Sequence, residues 1–280
     1  MIVLYIALIL IALFIAVLLV RAAAFTPPAE KERAFSPVEF NQGAALEDLR
    51  KLIRCKTVSN ADAALEDDAE FNKLLALLPE LYPEVARVCP LTRLPGRALL
   101  YKWQGKAHDQ PSVMMAHYDV VPVEETQWTK PPFDALVEDG VLWGRGSVDT
   151  KITFNAVLFT VNHLIAEGFT PAQDMYLAFS GCEETNGPGA ANTVDWFEAN
   201  GITPALVVDE GGAVVEKIFP GVEQPCALVG IAEKGLMNLT FSVASSGGHA
   251  SMPAAHTPVG ILARACCGDR KSTRLNSSHT

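Results

Sequence analysis

KITFNAVLFTVNHLIAEG at residues 151–168, MYLAFS at 175–180, AANTVDWFEAN at 190–200 and ALVV at 205–208 decide the fold between them. In the first stretch the apolar residues fall at 152, 154, 157, 158, 161, 164 and 165, a helical spacing, and Gly168 supplies a stop just beyond it. The second is a short apolar run of strand length, the third a helix ending at Gly201, and the fourth another strand expected to be buried. Helix alternating with strand implies a parallel sheet covered on both faces. The expected class is therefore α/β: a mixed, mostly parallel sheet with helices on both faces, followed by the start of a second, smaller unit.

Working outward, Val38 to Cys55 and Glu70 to Leu81 show amphipathic helical spacing. Arg97 to Trp103 and Ser112 to Ala116 read as strands separated by a polar turn at Gly105–Pro111, and Val141 to Trp143 is a brief apolar piece. Leu236 to Ala244 alternates like a half-exposed strand and opens a second unit. The expected organisation is an apolar anchor or signal at 1–21, a tether with three prolines at 22–37, a larger domain at 38–233 and the start of a smaller one at 234–268. Residues 269–280 are abruptly polar and basic and resemble a translated sequencing adapter, so a non-native tail is expected there.

The chain has 280 residues, 49% hydrophobic and 19% charged, enough for a packed core. Its net charge of −10, with no cluster of Lys and Arg in the body, argues against nucleic acid as a partner. Six cysteines show no Cys-x-x-Cys spacing and read as free buried thiols, with Cys182 packing inward. Ile2 to Val20 carries no charge and no helix breaker, and about 20 apolar residues span a bilayer. A retained single-span membrane anchor is expected. The alternative is a secretory signal cleaved after Ala22–Ala24, although no basic segment precedes the apolar run.

Four segments carry a histidine and several carboxylates in one order: AHYD at 116–119, GRGSVD at 144–149, GCEE at 181–184 and VVDEG at 207–211. Each lies at the end of an apolar run, where ligands gather in open α/β sheets. One imidazole with several hard carboxylates suits zinc or a similar ion. A hydrolytic site with two cations needs a bridging carboxylate, terminal ligands and a base for the water. Asp149, after the turn-forming Gly144 and Gly146, is a candidate bridge. His117 is a candidate terminal ligand, which Asp119 can orient through a hydrogen bond. Of Glu183 and Glu184, one can ligate while the other holds the water, and Asp209 can ligate the ion held by His117. Taken singly, Asp149 also suits a helix cap, Glu183–Glu184 a loop pair and Asp209–Gly212 an ordinary turn. The ordered set of four carries the metal reading. His108 reads as a solvated loop residue, His163 as a surface or core residue, and His256 is undecided.

AHYDVVP at 116–122, GRGSVDTK at 144–151, GCEETNG at 181–187, DEGG at 209–212 and GGHASMP at 247–253 together resemble the di-zinc metallopeptidase family of carboxypeptidase S, glutamate carboxypeptidase, aminoacylase and desuccinylase, closest to the carboxypeptidase S branch. The resemblance covers roughly Val38 to Cys267. It implies two Zn2+ ions, with His117 and Asp209 on one, Glu184 helping to hold the other and Asp149 bridging them. It implies Glu183 as the general base, Asp119 as a residue steering the site, and His249 as a lid histidine stabilising the oxyanion. The implied activity is hydrolysis of an amide bond in a peptide or an N-acyl amino acid, with a homodimer through the lid. Members of that family place a further zinc-ligating histidine beyond the lid. This chain carries four of the five ligands, so weak zinc binding is expected of it. Two rival readings are a catalytically inactive, membrane-tethered binding protein of the same fold and a single-metal esterase.

Overall fold

A computed structural model describes residues 2–25, 39–232, 239–245 and 256–276. They fall into two compact units, Met1–Asp209 and Glu210–Thr280. The domain boundary expected after residue 233 abuts residues outside the described set.

The first unit opens with α1 (Ile2–Ala23), long and apolar enough to cross a membrane and with no part of its Leu4–Ala23 window buried against the protein. An N-terminal signal sequence would look the same. Next, α2 (Gln42–Ile53) starts where the Asn41 side chain accepts the Ala44 N–H at 3.0 Å, and buries Leu49, Leu52 and Ile53. Helix α3 (Asp68–Leu81) is capped in the same way by Asp67, and α4 (Pro83–Val88) carries proline at its first position.

Strands β1 (Leu91–Leu94), β2 (Ala98–Trp103) and β3 (Ala107–His117) follow, then the small hairpin β4 (Leu136–Glu138) and β5 (Val141–Trp143). Next come α5 (Lys151–Ala166), β6 (Gln173–Ser180), α6 (Gly189–Ala199) and β7 (Leu206–Val208). The main sheet has the order β1-β2-β6-β3-β7. Pairs β6–β3 and β3–β7 are parallel, while β1–β2 and β2–β6 are antiparallel, so the sheet is mixed as expected. Gly168 and Gly201, at φ +79° and +65°, end the two crossover helices in the left-handed conformation that glycine tolerates.

Side chains alternate between the two faces. Leu99, Tyr101, Leu177 and Phe179 point to the layer of α3, α4 and α5, where they meet Phe71, Leu74, Phe154 and Leu158. Leu100, Tyr176 and Ala178 point the other way, onto Phe197 of α6. The central β6 is thus buried on both sides, which is why its sequence is an unbroken apolar run. Phe154 is fully buried, with its ring 4.6 Å from that of Phe179 and 5.6 Å from that of Tyr118.

Two expectations fail in instructive ways. The polar stretch after Gly105 is not wholly a turn, because β3 begins at Ala107, with a register shift between Ala107 and Ser112. The cause is Asp174, whose buried carboxylate takes the Gly105 N–H at 2.8 Å, His108 Nδ1 at 2.8 Å and Lys102 Nζ at 2.9 Å, drawing the segment against β6. Nor is β7 buried: Leu206, Val207 and Val208 are 53, 51 and 42% exposed. Among the described residues it is the last strand of the sheet, paired to β3 alone.

The second unit contains the hairpin β8 (Ala213–Val215) and β9 (Cys226–Leu228), and α7 (Pro258–Asn276), which the sequence reading did not anticipate and which runs through the start of the supposed tail. Residues 239–245, the described part of the strand expected from Leu236 to Ala244, form no strand. Of the cysteines, Cys55, Cys89 and Cys182 are buried free thiols as expected. Cys226 is half-buried, and Cys266 and Cys267 are exposed, because α7 does not bury them.

Replacing Phe154 with alanine should cost about 3–5 kcal/mol, read as a lower urea midpoint. Asp174 provides a pH signature. Burial alone would raise its carboxyl, but the Gly105 N–H, Lys102 and His108 outweigh that and hold it below the usual range. Its contribution to stability is therefore present above about pH 4 and lost as pH falls through its lowered folded-state pKa. Asp174→Asn should flatten the dependence of unfolding free energy on pH in that acidic window.

Candidate metal centre

The carboxyl ends of β3, β6 and β7 lie side by side, and each is followed within four residues by a carboxylate: Asp119, Glu183–Glu184 and Asp209. His117 is the last residue of β3 and is 1% exposed. Its Nδ1 lies 3.0 Å from the main-chain oxygen of Asp119. A carbonyl oxygen only accepts, so a neutral His117 carries its proton on Nδ1 and presents the Nε2 lone pair on its other side. That lone pair faces Asp149 Oδ1 at 2.9 Å and Glu183 Oε2 at 3.7 Å. Such an arrangement of acceptors needs a cation among them, either a proton on the ring or a metal ion.

The Asp119 carboxylate, fully buried, does something the sequence reading did not foresee. One oxygen accepts the Glu183 N–H and the other the Glu184 N–H, both at 3.1 Å. The imidazole Nδ1–H donates its nearer hydrogen bond to the Asp119 main-chain oxygen, with the carboxylate 3.4 Å from Nδ1. The Asp119 carboxylate thus holds the glutamate loop more directly than it holds the imidazole. That loop turns sharply, with Asn186 N–H donating to Glu183 O at 2.7 Å and Gly187 N–H to Cys182 O at 2.8 Å.

Asp149 ends the 144–149 loop and is exposed, its side chain turned toward His117 rather than capping α5, whose N-cap position belongs to Thr150. The peptide bond between Asp149 and Thr150 is cis. Glycines are needed in this loop. A Cβ on Gly144 would lie 2.8 Å from the Ile53 side chain, and one on Gly146, at φ +80°, would lie 2.7 Å from that of Val120. The loop is also held by a residue that the sequence reading passed over. Lys151 is fully buried and donates to the carbonyls of Leu52 at 2.9 Å and Cys55 at 2.6 Å, at the end of α2. Burial pushes its ammonium down to about 7. The available signal was a lysine two residues after a candidate ligand, at the first position of an apolar helix.

Ligand atoms of His117, Asp149 and Glu184 all lie within 4.8 Å of one another. Burial raises the Glu183 carboxyl, and Asp119, Asp149 and Asp209 raise it further against the pull of His117. Glu184 is raised by burial and by Asp149, Asp119 and Glu183, again against His117. The carboxylates of Asp149, Glu183 and Glu184 on the Nε2 side of one imidazole fit a divalent cation, and the oxygen-and-nitrogen donor set fits zinc. Asp209 stands outside the three-residue cluster. The β3–β7 ladder pairs Met114 with Val208, so Asp209 starts about two residues, roughly 6–7 Å, below the level of His117. His249 lies outside the described residues. His108 is held by Asp174, and His163 Nε2 lies 3.4 Å from Glu167, so neither belongs to the site.

A sequence profile of Peptidase family M20/M25/M40 matches residues 113–276. The chain is 34% identical over 261 residues to probable carboxypeptidase S-like 2 of Dictyostelium discoideum, covering 89% of this chain and 50% of that protein. It is 38% identical over 156 residues to human N-fatty-acyl-amino acid synthase/hydrolase PM20D1, covering 56% of this chain and 31% of the relative. Among solved structures, human carnosine dipeptidase 1 superposes with a TM-score of 0.50 at 16% identity, covering 60% of this chain and 38% of that one, which is a likeness of fold. The chain thus spans half or less of the length of these relatives.

Asp119→Ala should release the Glu183–Glu184 loop and weaken zinc binding by about 10–100-fold, measured by chelator competition. An unchanged affinity would mean that the loop is held by other contacts.

Proposed function

This chain belongs to peptidase family M20/M25/M40, and on that premise we propose that the whole protein is a zinc-dependent hydrolase of amide bonds in peptides or N-acyl amino acids. The observation that carries this reading is the His117 Nε2 lone pair aimed at Asp149 Oδ1 at 2.9 Å, with Glu184 in reach of both. The names of the relatives, a carboxypeptidase S-like protein and an N-fatty-acyl-amino acid synthase/hydrolase, support the substrate class.

In this reading His117, Asp149, Glu184 and Asp209 would hold the zinc ions. Bound zinc would lower the pKa of a water molecule and polarise the scissile carbonyl. Glu183 takes the proton from the attacking water and delivers it to the leaving amine. Burial raises its carboxyl, a shift in the direction that favours a proton acceptor. Asp119 keeps Glu183 in place through the backbone, and the Nδ1–H to Asp119 O hydrogen bond keeps the imidazole in its ligating tautomer. Helix α1 would tether the catalytic domain to a membrane as a retained anchor.

The test is Glu183→Gln in the whole protein, assayed on N-acyl amino acids. Hydrolysis should fall by at least about 100-fold while zinc content stays at about two ions per chain. Persistent turnover would remove Glu183 from its role, and a wild-type protein without zinc would overturn the metal reading.

A further inference from the structure

Beyond His117 and Ser180 the β3–β6 ladder ends, leaving one further backbone bond from Tyr118 N–H to Ser180 O. Something else must fix His117 and Asp119 relative to Glu183 and Glu184. Asp119 is one such link. The second lies on the opposite side of the loop, in the turn between β1 and β2.

Three successive carbonyls of that turn each accept a side-chain donor from a different piece of the site. Pro95 O takes Asn192 Nδ2–H at 3.0 Å, from α6. Gly96 O takes the Cys182 thiol at 3.0 Å, from the residue before Glu183. Arg97 O takes the Tyr118 hydroxyl at 2.6 Å, from the residue between His117 and Asp119. The approach is too close for side chains: a Cβ on Gly96 would lie 2.8 Å from Gly189 N, and one on Gly181 would lie 2.5 Å from the Tyr118 hydroxyl.

The turn is itself anchored. Arg97 sits at φ +54°, outside the usual range for a side-chain-bearing residue. Its guanidinium donates to Glu66 at 2.8 Å and Asp68 at 2.5 Å and lies 4.0 Å over the Phe71 ring. Glu66 in turn accepts the Asn60 N–H at 3.0 Å. The carbonyls are thus presented from a fixed backbone.

We propose that the Pro95–Gly96–Arg97 turn positions the metal ligands, with Tyr118 and Cys182 as positioning residues that hold the His117 and Glu183–Glu184 segments to it. This rests on the metal-centre reading above. It assigns the Cys182 thiol a hydrogen-bonding role with no redox or nucleophilic part. It also accounts for a buried tyrosine between His117 and Asp119, whose ring packs on Phe71 and Phe154.

The experiment titrates Co2+ into the metal-free full chain and follows the visible d–d absorption, alongside urea unfolding of each variant. Tyr118→Phe and Cys182→Ala should each raise the Co2+ concentration for half-saturation by about tenfold and alter the band shape, the loss expected when a ligand's orienting partner is removed. Cys182→Ser, which keeps a donor, should restore most of the affinity. Val161→Ala, in the same core but remote from the turn, should lose stability and keep the wild-type titration. If Tyr118→Phe and Cys182→Ala lose stability like Val161→Ala while binding Co2+ with wild-type affinity and spectrum, the turn is a packing element only and the proposal falls. If the wild-type chain develops no d–d band at all, the metal-centre reading fails first and takes this inference with it.

Discussion

A buried carboxylate that accepts two consecutive backbone N–H groups does two things at once. It satisfies both of its oxygens with main-chain donors, and it converts the position of one strand end into the position of the next loop. Asp119 stands in this relation to Glu183 and Glu184. Without it the loop would keep its own turn and the Cys182 hydrogen bond to Gly96 O, but two glutamates three or four residues past a strand end could still point many ways. With the Asp119 bonds made, both carboxylates share the space in front of His117, and their mutual repulsion becomes an affinity for cations. The acidity of the cluster is its chemistry, and the fold supplies the means to keep that cluster together.

The same division of labour appears around Asp149. Its loop contributes a carboxylate exposed to the site, while Lys151, two residues on, is buried and anchored to carbonyls at the end of α2. A helix terminus presents partial negative charge, so an ammonium there is well placed. One short segment thus offers a negative group outward and a positive group inward, and the inward one ties the first helix of the domain to the site.

How much of this could be read in the sequence depends on the range of the interaction. The ends of β3, β6 and β7 and the helices between them follow from local periodicity, and the motifs named the candidate ligands because each is contiguous. The exposure of β7 could not be read, because ALVV looks the same at the centre of a sheet and at its edge. The extension of β3 through polar residues 107–111 depends on Asp174, more than sixty positions downstream. The Arg97–Tyr118 and Gly96–Cys182 contacts join residues 21 and 86 positions apart with no shared periodicity. Lys151 was visible as a letter, but its burial against α2 was not.

Strand β7 has a further consequence for how this polypeptide behaves in solution. Among the described residues no strand pairs with its outer edge, and an apolar edge of this kind is a template on which another extended chain can align. The negative charge of Asp209, placed where the apolar run ends, is the kind of gatekeeper that discourages such stacking.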